Sequence, residues 1–271
     1  MTDLPREIID HYRSADEDSR IRQGLGQLEL LRTQAIVRRY LPAGSQRIAD
    51  VGGATGVHAS WLAQDGHEVQ IFDVVPEHVE AAQSLAALVP AISATLGDAR
   101  RLPCPDDSVD AVLLFGPLYH LTAREDRLLA LTEAVRVVRP GGLVFAAAIS
   151  RFASLLDGLD KGFIFDEAGA QMVEEDLATG QHRNPLDNPA WFTTAYFHRP
   201  EDLGRECLEV NLDVLAVIGV EGPAGWLPHL AELWDIPEGR ETILRSAALV
   251  ESETSLLGVS PHLIAVGRTR E

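Results

Sequence analysis

The chain has 271 residues, of which 46% are apolar and 24% charged, a composition that excludes a disordered polypeptide and suits one α/β domain with insertions. Its 23 Lys and Arg against 41 Asp and Glu give a net charge of -18, which repels phosphate backbones and anionic bilayers, so neither nucleic acid nor membrane is an expected partner. Four charged residues within Met1–Tyr12, and a longest wholly apolar run of only Leu143–Ile149, speak against a signal peptide or spanning helix, so a cytoplasmic protein is expected, with Cys104 and Cys207 as packing residues.

In chain order, Gln27–Tyr40 carries apolar residues at helical spacing and stops at Pro42 and Gly44, which predicts a covering helix. Alternation then predicts a strand over Arg47–Val51, a helix over Gly56–Asp65, a strand over Glu68–Asp73 and a helix over Pro76–Leu88. A weak strand is expected at Ile92–Leu96, a strong one at Val109–Phe115, a helix over Arg124–Val138, and a strand at Leu143–Ile149 after a Pro140-Gly141-Gly142 turn. The rhythm breaks over residues 151–199, which mix aromatics with Asp, Asn and Pro around a predicted helix at Asp166–Thr179 and read as an insertion. Beyond it come a helix beginning at Pro200, strands at Leu212–Val220 and His262–Arg268, and mostly helix over Ala224–Ser255. The expected organisation is a single domain, 1–271: an N-terminal helical lid (1–44), a cofactor-binding core (45–150), a substrate-side insertion (151–199) and the C-terminal part of the sheet (200–271).

The sharpest motif is Ile48-Ala49-Asp50-Val51-Gly52-Gly53-Ala54-Thr55-Gly56, a strand that ends in a small-residue turn and opens a helix. Small residues allow a ligand close to the backbone, and the helix N-terminus offers unpaired N–H groups to an anionic group. A dinucleotide fingerprint needs a small residue five positions after Gly52, where Val57 stands, which weighs against a nicotinamide oxidoreductase. Asp73 ends the second strand, where a carboxylate can accept from two ribose hydroxyls or cap the helix at Pro76.

Small residues at Gly52, Ala54 and Gly56, preceded by Asp50, resemble motif I of the class I S-adenosylmethionine-dependent methyltransferases, with Ala54 where the family has its middle glycine. The stretches Asp106–Leu121 and Ala134–Gly142 are similar to the family's motif IV region and its Pro-Gly-Gly entry to strand five. The resemblance implies a Rossmann-like seven-stranded sheet with helices on both faces and an antiparallel last strand. It also implies S-adenosyl-L-methionine as cofactor, with contacts from Tyr12, Arg20, Asp50, Gly52, Gly53, Ala54, Gly56, Asp73, Val74, Asp98, Ala99, Phe115 and Gly116. Asp98 would accept from the adenine amino group, and Arg20 would pair with the methionine carboxylate unless Asp16–Arg20 is simply a solvated charge run.

Ligands in open α/β sheets sit beyond the carboxyl ends of the strands, so the loop Gly116–Leu121 faces the reacting methyl group. His120 is the candidate base, with Tyr119 beside it; either can instead order the loop or the cofactor. The Asn/Asp-Pro-Pro-Tyr loop of methyltransferases that act on exocyclic base amines is missing, since Gly116 and Leu118 occupy two of its positions. Phe163, Phe165, Trp191, Phe192, Tyr196 and Phe197, with the polar Asp166, Glu167 and His198, predict either an acceptor wall for an aromatic or apolar small molecule or a flap on the sheet edge, which could also serve as a homodimer contact. Of that set, Phe165, Glu167, Trp191, Tyr196 and His198 are the candidate substrate contacts. The histidines and cysteines show no metal-ligand spacing, so no metal is expected. The expected function is methyl transfer to a small acceptor at O, N or C; the alternatives are a rearrangement or cyclisation on the same fold, or a non-catalytic binding domain.

Overall fold

The strand Ile48-Ala49-Asp50-Val51 is inward-facing on both sides, and its alternate residues divide between two apolar clusters. Such two-sided burial is the signature of a central strand in a parallel sheet covered by helices on each face. The computed structural model, which describes residues 21, 24–184, 188 and 191–271, has this architecture. Its elements are α1 (Gly24–Tyr40), β1 (Arg47–Val51), α2 (Val57–Gln64), β2 (Glu68–Asp73), α3 (Pro76–Ala86), β3 (Ile92–Leu96), β4 (Val109–Leu114), α4 (Pro117–His120), α5 (Arg124–Val137) and β5 (Val138–Ser150). There follow α6 (Ala153–Lys161), α7 (Glu167–Thr179), β6 (Gln181–His182), β7 (Ala195–His198), α8 (Pro200–Glu209), β8 (Leu212–Gly219), α9 (Leu230–Trp234), α10 (Pro237–Val250) and β9 (His262–Thr269).

Strands β3, β2, β1, β4 and β5 lie side by side in parallel. Strand β9 runs antiparallel along β5 from Leu143↔Arg268 to Ile149↔His262, and β8 pairs antiparallel with β9. This is the expected seven-stranded sheet with its last strand antiparallel. The insertion enlarges it to nine strands: β7 pairs in parallel with the tip of β5 at Ile149 and Ser150, and β6 pairs antiparallel with β7. Sequence reading missed these two because each is too short to show a period of two.

Ile48, Ile71, Ala111 and Leu113 face α1, α2 and α3 through Ile36, Val37, Ala59, Leu62 and Ala82. Ala49, Val51, Val112 and Leu114 face α5 and α8 through Leu131, Ala134, Leu203 and Cys207. Strand β5 begins at Val138 rather than Leu143, with a register shift against β4 that absorbs Pro140-Gly141-Gly142 as an irregularity in the strand. The sheet order reverses direction between β1 and β4, which places a crevice above their carboxyl ends. Among the described residues no helix is long and apolar enough to cross a membrane.

Candidate active site

The crevice is a cavity whose floor is the turn after β1. Gly52 sits at φ +75°, and a Cβ placed on it would lie 2.7 Å from Pro117 Cδ and 3.0 Å from the Phe115 carbonyl oxygen, so only glycine lets the β1 and β4 loops approach this closely. A Cβ on Gly53 would stand 2.7 Å from the Asp50 carboxyl group beneath it. Ala54 keeps the left-handed backbone of a glycine at φ +46°, and its N–H donates to Asp73 Oδ2 at 3.0 Å. Gly52, Gly53 and Ala54 line the cavity; Gly56, at the start of α2, does not, and packs against Leu85 and Ile71 instead.

Asp73, Val74, Asp98, Ala99, Phe115 and Gly116 all line the same cavity. Asp73 lines the cavity, and its Oδ1 accepts the Val75 N–H at 2.9 Å just before α3. Asp98 is held by Arg100, whose Nη2 donates at 2.8 Å and whose Nε donates at 3.1 Å. Partial burial pushes the Asp98 carboxyl up, but the Arg100 hydrogen bonds and charge outweigh it and hold the group below its ordinary value. Asp50 lies under the loop, outside the cavity lining, fully buried, and neither oxygen has a hydrogen-bond partner of normal geometry among the described residues. Burial, reinforced by the Asp73 charge, pushes it up to about 7, with the Ala59 N–H offsetting part of the rise. Tyr12 and Arg20 lie outside the described residues.

Tyr119 and His120 reach the cavity from the short helix α4. His120 Nδ1 lies 3.4 Å from the Thr194 carbonyl, and its ring stacks on Phe192 at 5.8 Å. Of the insertion's aromatics, Phe192 and Phe197 pack in the cluster at this corner, where Phe192 also meets Tyr119. The residues expected to contact substrate go elsewhere, and none of them lines the cavity. Phe165 is 81% exposed, Glu167 is exposed at the start of α7, and Trp191 packs with Met172 and Val173 in the insertion's own core. Tyr196 lies under the Arg127 guanidinium, 3.7 Å from its ring centre, and His198 is completely buried against Glu206 at 3.2 Å. The insertion has to close its own core and cover the tip of β5, and that spends its large side chains.

Several lining residues escaped sequence reasoning. His58 accepts the Trp61 indole N–H at 3.3 Å, and burial lowers it to about 4, so it stands neutral in the cavity. Glu29 and Thr33, one turn apart on α1, enter from above, and His262 enters from the first residue of β9. His262 Nδ1 lies 2.6 Å from Glu221 Oε1, with Glu221 fully buried, and Glu29 Oε2 lies 3.9 Å from the same nitrogen. Lone histidines and acids carry no local pattern, so no signal could have found this group.

A glycine turn at the switch point, an acid at the end of β2 and another after β3 define a nucleotide-cofactor site of the methyltransferase type. A methyltransferase-domain family model matches residues 49–146. A methyltransferase of Streptomyces halstedii, GfsG, is 31% identical over 222 residues, covering 76% of this chain and 75% of that protein. An uncharacterized methyltransferase of Mycobacterium tuberculosis is 38% identical over 102 residues, a match that spans 39% of that protein's length. Among solved structures, a methyltransferase from Methanosarcina mazei superposes with a TM-score of 0.58 at 14% identity over 87% of this chain and 97% of that one, and the [4+2]-cyclase SpnF with 0.56 at 19% over 89% and 81%. The chain belongs to the S-adenosylmethionine-dependent methyltransferase family.

Proposed function

We propose that this chain transfers the methyl group of S-adenosyl-L-methionine to a small organic acceptor with an apolar or aromatic body. The observation that carries this reading is the continuity of the cavity. Gly52, Gly53, Ala54, Asp73 and Asp98 line the same cavity as Phe115, Tyr119, His120, Ala147, His262 and Ile264. The residues fit the cofactor on two counts: side chains are excluded from the loop where a ligand must approach, and two carboxylates project from the strand ends where ribose and adenine donors would lie. When bound, the cofactor supplies an activated methyl group on a sulfonium. Gly52 and Gly53 give it backbone access, Asp73 accepts from its ribose, Asp98 accepts from its adenine, and His58 offers a neutral imidazole.

Phe115, Leu121, Ala147, Val220 and Ile264 exclude water from the acceptor end, while Tyr119 and His120 set the acceptor's approach. The net charge of -18 disfavours a nucleic-acid acceptor, and the buried thiols of Cys104 and Cys207 accord with the cytoplasm. The test is S-adenosylhomocysteine formation by the full chain with a panel of small phenols, amines and quinols. Product above the acceptor-free blank supports the reading. Tighter binding of a dinucleotide than of S-adenosylhomocysteine overturns it, and acceptor conversion without S-adenosylhomocysteine makes the enzyme a catalyst of rearrangement.

A further inference from the structure

We propose that His262, held by Glu221, is the general base that takes the proton of a hydroxyl or amine acceptor. The proposal rests on the reading of the cavity as a methyl-transfer site and assigns its proton chemistry. Glu221 is fully buried in the turn after β8, and three donors converge on its carboxylate: Ser260 Oγ at 2.9 Å and the His262 main-chain N–H at 3.1 Å on Oε2, and His262 Nδ1 at 2.6 Å on Oε1. Ser260 Oγ in turn accepts the N–H groups of Glu221 and Gly222, both at 3.1 Å. The Glu221 carboxylate therefore has one orientation.

A carboxylate can only accept, so Nδ1 carries the hydrogen and the ring's lone pair is on Nε2. This is the orienting-acid and base arrangement of hydrolytic triads, in which the acid fixes the tautomer and stabilises the imidazolium. Among the described residues, Glu221 and, at 3.9 Å, Glu29 from α1 place carboxylates beside the ring; Arg32, three residues on from Glu29, is engaged by the Val220 carbonyl and Glu251. In the reaction the acceptor's lone pair forms the bond to the methyl carbon, the C–S electron pair returns to sulfur, and the acceptor's proton passes to His262 Nε2 and then to solvent.

The test uses the full chain with catechol as probe acceptor and, separately, ¹⁵N-histidine spectra without acceptor. His262→Gln should lower kcat by about 100-fold or more while S-adenosylhomocysteine affinity stays within twofold, and should abolish the acid limb of the kcat profile. Glu221→Gln should lower kcat at least about tenfold with little change in KM and move that limb, and the His262 titration in the spectra, to lower pH. The wild-type spectra should assign His262 the Nδ1–H tautomer. An Nε2–H tautomer, a titration unmoved by Glu221→Gln, or wild-type turnover in His262→Gln overturns the proposal, and the spectra decide if catechol is not methylated. Failure of every form to bind S-adenosylhomocysteine would instead overturn the methyltransferase reading.

Discussion

Gly52 carries two constraints at once, a left-handed backbone and contact with a neighbouring loop. A valine there would need φ near +75°, which costs a branched residue about 1–2 kcal/mol, and would drive its Cβ into Pro117, an overpacking of about 1–3 kcal/mol. Gly52→Val is therefore expected to lower stability by roughly 2–5 kcal/mol as well as remove cofactor affinity, so the substitution cannot leave the fold untouched. Urea unfolding alongside calorimetric titration with S-adenosylhomocysteine checks both, and unchanged affinity would remove the loop from the site. Ala54 is the counterpart: a methyl group in a left-handed conformation is tolerated where the Asp73 carboxylate receives its N–H. The left-handed turn is thus reached here without a glycine at this position.

At the scale of elements, the loop after α4, whose Leu121 lines the cavity, is held by a buried ion cluster. Arg127 on α5 donates from Nη2 to Glu206 of α8 at 2.7 Å and from Nη1 to the carbonyls of Leu121 and Thr122, just after α4. His198 of β7 closes the group against Glu206, so α5, β7 and α8 meet at one carboxylate. Burial pushes Glu206 up, but His198 and Arg127 overcome it and hold it near 2. A depressed carboxylate stabilises the fold above its ordinary value of 4.5 and loses that contribution as pH falls toward 2. Arg127→Ala would leave the carboxylate buried without its cation, a loss of about 3–5 kcal/mol at neutral pH. Denaturant melts would measure this loss, and a change below 1 kcal/mol would mean that the cluster does not hold α4 in place.

For the whole molecule, Asp50 sets a pH dependence of the opposite sign. Its folded value of about 7 lies above its ordinary 3.8, so between those limits the folded chain holds a proton that the unfolded chain releases, and stability falls as pH rises through the window. Asp50→Asn removes the penalty, so its stability relative to the native chain should be near zero at pH 4 and positive, by up to about 4 kcal/mol, at pH 8. Thermal melts across this range without ligand test it; a difference independent of pH would show that Asp50 is ionised in the fold.

The residues alone determined the order of β1 to β5, β8 and β9 and the place of the glycine turn after β1, because strand alternation, helix spacing and glycine conformations are properties of a few neighbouring residues. The acids at Asp73 and Asp98 were legible for the same reason, being fixed by the strand ends they follow. Only the folded chain decided where the insertion's aromatics pack. Trp191, Tyr196 and Phe165 share the insertion's composition with Phe192, yet packing sends Trp191 inward, Tyr196 under Arg127 and Phe165 to solvent. The meeting of His262 with Glu221, 41 residues apart, depends on how β8 and β9 are registered at the sheet's edge, and the approach of Glu29 depends on how α1 docks above them. Contacts of that kind come from long-range pairing, which leaves no periodicity in the chain to be read.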